Sequence, residues 1–201
     1  MQHLTSDFTP RTAAAVMFCV VAMVTGCTSS PEENTSATYT VEEVRQDPID
    51  VVTETTDLLP VQGWSSKAGG PWPGPCSLHD GEQGAHYEFT LYSEDRSQDL
   101  HADVQLVAEH WESLGMDVRT IQEGVASPRI YATGGPVRRA SFNTNDPGSG
   151  RYRVGATSWC APGDGLELGL IENDRREQRQ VIPGDDYFLN NPEADQSNNT
   201  E

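Results

Sequence analysis

Ala85-His86-Tyr87-Glu88-Phe89-Thr90-Leu91-Tyr92-Ser93 alternates without a break, with Ala85, Tyr87, Phe89 and Leu91 on one side and His86, Glu88, Thr90 and Tyr92 on the other. A period of two over nine residues predicts a strand with one face buried. The next stretch changes period. From Ser97 to Leu114, Leu100, Val104, Val107, Ala108, Trp111 and Leu114 fall on one stripe at helical spacing, and Gly115 follows as a left-handed stop. Downstream, Met116–Gln122, Arg129–Thr133, Val137–Thr144 and Arg151–Cys160 predict further strands separated by Gly/Pro or Ser/Pro turns. Short turns between strands, with few helices among them, point to an α+β fold with an antiparallel sheet of about four to five strands. The helix at 97–114 is its main helix. An additional N-terminal helix packs on the same face.

That N-terminal helix is expected from Pro48 to Leu59. Asp47 serves as its cap, and Thr40 caps only a short turn before it. Val51, Val52, Thr55, Leu58 and Leu59 form its apolar stripe in a strongly acidic segment. The stretch GGPWPGPC at 69–76 reads as irregular, and Leu166, Leu168 and Leu170 read as an edge strand. The domain is expected to span 40–175, followed by an acidic, disordered tail at 176–201.

Composition restricts function. The 201 residues carry 31 acidic against 13 basic side chains, a formal charge of −18, which argues against nucleic-acid binding because that needs a basic footprint. Of four cysteines, Cys19 lies in an apolar N-terminal run and Cys27 at its end. Cys76 and Cys160 remain for the fold, and outside the cytosol such a pair is most simply a disulfide. No C-x-x-C pair supports a metal site instead.

The N-terminus carries the one specific motif. Residues 1–11 are polar and include Arg11. Thr12–Thr25, TAAAVMFCVVAMVT, is uncharged and too short to span a bilayer comfortably. It ends in Val24-Thr25-Gly26-Cys27, after which TSSPEENTSAT at 28–38 has no apolar periodicity. The Val-Thr-Gly-Cys stretch resembles the lipobox of bacterial lipoproteins. That resemblance implies a signal peptide at 1–26, a diacylglycerol on the Cys27 thiol, a flexible tether at 27–39, and a lipid anchor on the extracytoplasmic side of the cell membrane. The overall layout is similar to small actinobacterial envelope lipoproteins, and the domain more distantly to LppA-like ones. That likeness supplies no catalytic residues.

Candidate sites were weighed against plainer readings. Ser77-Leu78-His79-Asp80 has the letters of a catalytic triad but follows a Gly/Pro loop and lacks a nucleophile elbow, so a turn is expected. His101 and His110, nine positions apart on a helix, face different directions and cannot chelate one ion together. No metal and no cofactor is expected. Assigning the apolar residues of each strand to the core leaves an opposite face with His86, Tyr92, Arg119, Arg129, Tyr131, Arg139, Arg151, Arg153 and Trp159. Arginines interleaved with aromatics fit an anionic envelope component or a protein partner. The competing expectation is that local acids neutralise these arginines, or that the acidic N-terminal helix covers them. The function expected is a non-enzymatic binding or accessory module. A carrier of a lipid or other apolar ligand in a helix–sheet cavity is the alternative, and a hydrolase the third reading.

Overall fold

The computed structural model describes residues 39–121, 126–146 and 151–185. The predicted signal peptide, Cys27 and the tether up to residue 38 lie outside the described residues, as does the tail from 186 onward. The alternating stretch forms β2 (Gln83–Ser93), the longest strand, and the other strands assemble around it. On one side it pairs with β1 (Trp72–Ser77). On the other it pairs with β6 (Tyr152–Thr157) and β7 (Ala161–Pro162). Beyond β6 lie β5 (Arg139–Asn143), β4 (Arg129–Thr133) and β3 (Asp117–Ile121), giving the order β1-β2-β6-β5-β4-β3 with every pairing antiparallel. The protein is thus α+β, with seven strands among the described residues rather than four to five.

One face of this sheet is apolar row by row. Leu91, Val154, Phe142 and Ile130 are neighbours across β2, β6, β5 and β4, and Phe89, Ala156, Ala140 and Ala132 form the next row. All eight are at most 5% exposed. Helix α1 (Val41–Leu58) lies over β2 and β6, and α2 (Leu100–Ser113) over β3 and β4. Between them Trp111 is fully buried, its indole N–H donating to Thr55 Oγ1 at 2.9 Å.

Four local expectations need correction. Helix α1 begins at Thr40, not Asp47. Thr40 Oγ1 accepts from Glu43 N at 3.2 Å while the Glu43 carboxylate accepts from Thr40 N at 2.8 Å, a reciprocal capping box. Pro48 therefore sits inside the helix, at a local cost of about 3 kcal/mol. The helix continues because Val44, Pro48, Val51, Val52 and Thr55 form one buried stripe against the sheet. Burial along the whole stripe outweighs one lost backbone hydrogen bond.

The Gly/Pro stretch is regular from Trp72 onward. It forms the edge strand β1, in which Pro73 and Pro75 occupy alternate positions opposite Tyr87 and Ala85. Residues two apart present their amides to the same side, so both prolines leave donors missing only along the unpaired edge. The third correction concerns Leu166, Leu168 and Leu170, which lie in α3 (Gly165–Glu177), not in a strand. The Asp164 carboxylate caps it, accepting from the amides of Leu166 and Glu167. Leu168 turns inward to Val44 and Tyr87, so α3 shares the face of α1, while Leu166 and Leu170 are each 70% exposed. Three leucines at alternate positions fit a helix too, since Leu166 and Leu170 are four apart.

The fourth is the C-terminal boundary. Position 175 falls inside α3, and packing continues to Asp185. There Arg45 of α1 donates to Glu172 at 3.1 Å, and Arg175 bonds both Glu172 and Asp185. Arg175, Glu172 and Asp185 are all buried, so this charge cluster pins residues 182–185 to α1 and α3.

Other features follow the sequence closely. The start of α2 is capped by Asp99, which accepts from Ala102 N at 3.0 Å. Its end is a Schellman motif: Met116 N donates to Trp111 O, Gly115 N donates to Glu112 O, and Gly115 has φ +78°. Cys76 and Cys160 form a disulfide with Cα atoms 6.1 Å apart, tying β1 to the link between β6 and β7. It lies against Gly84, where a Cβ would come within 2.4 Å of Cys160 Sγ.

Candidate functional site: the open face of the sheet

The face of the sheet turned away from α1 and α2 is built from the residues between the core positions. Cross-strand register arranges it in rows. The first runs from Arg129 through Asn143 and Arg153 to Tyr92, and the second from Arg119 through Tyr131, Ser141 and Gly155 to Thr90. The third comprises Asp117, Thr133, Arg139, Thr157 and Glu88, and at its β1 end Trp72 packs against α3, beside Gly169 and under the Arg176 guanidinium. Helix α1 packs on the other face, so it does not cover these residues.

A concavity of about 420 Å³ opens here, lined by Tyr131 and Thr133 of β4, Arg139 and Ser141 of β5, Arg153, Gly155 and Thr157 of β6, and Glu88 and Thr90 of β2. Its floor is Gly155. A Cβ there would lie 2.8 Å from Thr90 Oγ1 and 3.6 Å from Ser141 Oγ, so the glycine keeps a shallow trough between two hydroxyls. Tyr131, 39% exposed, stands at one side. At one end Arg139 is held in place, donating to Glu88 Oε1 at 2.9 Å and to Thr157 Oγ1 at 3.0 Å. Glu88 is thereby engaged, and His86 stands 3.7 Å from the same carboxylate. Burial pushes the His86 pKa down, against the opposing pull of Glu88. A neutral imidazole adds no charge to this end of the trough.

The remaining candidate residues divide by partner. Arg119 lies 3.6 Å from Asp117, and Arg151, just ahead of β6, pairs with Glu94. Local acids thus neutralise Arg119, Arg139 and Arg151, as the competing expectation had it. Arg129 and Arg153 form no ion pair among the described residues, and of the two only Arg153 lines the concavity. Trp159 does not belong to this face. It stacks on Tyr39 with ring centroids 6.0 Å apart, packs beside Val44 and Tyr87, and donates its indole N–H to Gly135 O. The alternation ends with β6 at Thr157, so a period-two assignment cannot be carried to residue 159.

No family model matches the chain, and neither a curated protein nor a solved structure matches it. A guanidinium without an ion-pair partner among the described residues, an aromatic side wall and several hydroxyls can hold an anionic, polar ligand. Ser77 ends β1 and Leu78 to Asp80 belong to the hairpin turn before β2, where Leu78 N donates to Glu82 O and Glu82 N donates to Asp80 Oδ1. Among the described residues no group of three His, Cys, Asp or Glu side chains is placed to hold a metal ion. No described helix is long and apolar enough to cross a membrane.

The sequence pattern brings the arginines and Tyr131 to this face and sets Glu88 and Thr90 on the same side of β2, but it does not single out Gly155, Ser141, Thr133 and Thr157. The period of two that located Arg153 also marks Gly155 and Thr157. Neither a missing side chain nor an uncharged hydroxyl stands out where the signal is a charge or an aromatic ring.

Proposed function

We propose that the protein is a lipoprotein anchored through Cys27 on the extracytoplasmic side of the cell membrane, and that its folded domain is a non-enzymatic module binding an anionic envelope component. The observation that carries this reading is the trough around Gly155 and Arg153, on the face that the helices leave bare. Within a chain of net charge −18, an arginine in a concave site with no ion-pair partner among the described residues is a local attraction for anions. Anchoring rests on the lipobox resemblance at 24–27. One acyl chain binds membranes only marginally, so stable attachment needs two or more.

The carrier reading requires space between helix and sheet. That space is occupied by Trp111, Phe89, Phe142 and Tyr152, each at most 1% exposed, which favours the binding module. Two experiments test the proposal. Cys27→Ser, expressed in an envelope-bearing host, is expected to leave the membrane fraction, and retention there would remove the anchor. The double variant Arg139→Glu, Arg153→Glu is expected to lose retention of anionic envelope polymers from extracts. Unchanged retention of every polymer would remove the binding face.

A further inference from the structure

We propose that the trough is a subsite for one acidic sugar residue, a pyranose ring carrying a carboxylate or phosphate, with Arg153 taking the negative group and the ring lying over Gly155. This rests on the binding-module reading and narrows its ligand.

Size comes first. At about 420 Å³ the concavity lies at the lower end of the small-ligand range, roughly 300–1,000 Å³. Its lining comes next. Thr90, Thr133 and Ser141 supply hydroxyl groups that can each donate and accept, while the Thr157 hydroxyl is engaged by Arg139 and Glu88. That is the complement of a ring bearing several hydroxyls. A lipid acyl chain would instead require an apolar wall, and an inorganic anion would leave most of these groups unused.

Shape is the third argument. Tyr131, Ser141 and Gly155 are consecutive neighbours across β4, β5 and β6, so Tyr131 and Gly155 stand about 10 Å apart at the usual strand spacing. A flat ring can lie on the glycine with an edge against the tyrosine. Arg153 is two positions along β6 from Gly155, on the same face, and its guanidinium has no ion-pair partner among the described residues. A charge left unpaired beside a hydroxyl-lined trough is complementary to an anionic substituent on the ring. Arg139, already bonded to Glu88 and Thr157, keeps the far wall in position.

The test is calorimetric titration of the full chain at low ionic strength with trigalacturonate, mannose 6-phosphate, neutral maltotriose and inorganic phosphate. At least one acidic sugar is expected to bind tenfold or more tightly than both maltotriose and phosphate. Which of the two does so assigns the carboxylate or the phosphate. Arg153→Gln is expected to weaken that binding at least tenfold, with partial recovery in Arg153→Lys. Gly155→Val, which fills the floor without changing charge, is expected to weaken it as much. Should Gly155→Val melt early, Ser141→Leu fills the same trough from β5. Phosphate binding as tightly as the sugars would reduce the site to a simple anion site and overturn the proposal. So would equal binding of maltotriose, or acidic-sugar binding unaffected by both floor-filling variants. If no acidic sugar binds while anionic envelope extracts are still retained through Arg153, this inference falls and the binding module stands. If the extracts are not retained either, the module falls with it.

Discussion

The Tyr152 hydroxyl donates to Asp103 Oδ2 at 2.5 Å, joining β6 to α2 inside the core, with Tyr152 fully buried and Asp103 4% exposed. Burial, reinforced by the Asp103 carboxylate, pushes the Tyr152 pKa up to about 12. Tyr152→Phe would leave a buried carboxylate short of a donor, at an expected cost of about 1–3 kcal/mol in urea denaturation. The folded-state pKa lies above the unfolded value near 10, so this group's stabilisation is intact below pH 10 and is lost as pH rises toward 12. The phenylalanine variant should show a shallower alkaline decline. An equally steep decline would place the titrating group elsewhere.

Asp47 shows the same linkage at acid pH. Burial, then the nearby charges of Asp50 and Glu43, raise its pKa to about 6. The unfolded carboxyl titrates near 4, so the folded state holds a proton the unfolded chain has released, and stability falls as pH rises from about 4 to 6. Asp47→Asn is therefore expected to melt at higher temperature than the native protein at pH 7 and to match it near pH 3.5. A native protein more stable than the variant at pH 7 would contradict this.

The disulfide closes a loop across 84 positions between Cys76 and Cys160. By unfolded-chain entropy it should contribute about 4–5 kcal/mol, so the Cys76→Ser, Cys160→Ser pair is expected to lose a stability of that order. Gly84→Ala is a subtler test. Its Cβ would meet Cys160 Sγ at 2.4 Å and Ala161 O at 2.7 Å, contacts that force β2, β7 or the bridge to move. A raised fraction of free thiol after oxidative refolding is expected.

Arg175 holds two buried carboxylates, Glu172 and Asp185. Arg175→Met should cost about 3–5 kcal/mol, because it strands buried charge instead of merely removing a bond. Limited proteolysis should then cut near 182–185 sooner than in the native protein. Adding Glu172→Gln and Asp185→Asn should recover part of the loss.

Much of the sheet was legible because its residues alternate. Arg129–Thr133 was read with its observed bounds, and β2, β3, β5 and β6 lie within or beside the segments expected for them. Helix α2 was legible from one stripe, an Asp cap and Gly115. What failed were segments where local signals oppose the tertiary outcome. Pro48 suggested a helix start, and Pro73 and Pro75 suggested a loop. Each proline is tolerated because packing or an edge position makes its missing amide harmless.

For the site, alternation sorts residues between faces, and it put Arg119, Arg129, Tyr131, Arg139 and Arg153 together without any coordinates. It cannot reveal which face is covered, which arginine finds an acid, or where the surface dips. Those depend on contacts between residues distant in sequence: Glu88 with Arg139, Glu94 with Arg151, Gly155 with Thr90. The sequence by itself determined the α+β class, the cysteine pair and the side of the sheet on which each arginine lies, because periodicity is local. The tertiary structure alone decided that α1 and α3 share the core face, that Arg153 finds no ion-pair partner among the described residues, and that a glycine becomes the floor of a trough. Strand order and helix docking are set by burial summed over the whole chain, and no short window of residues contains that sum.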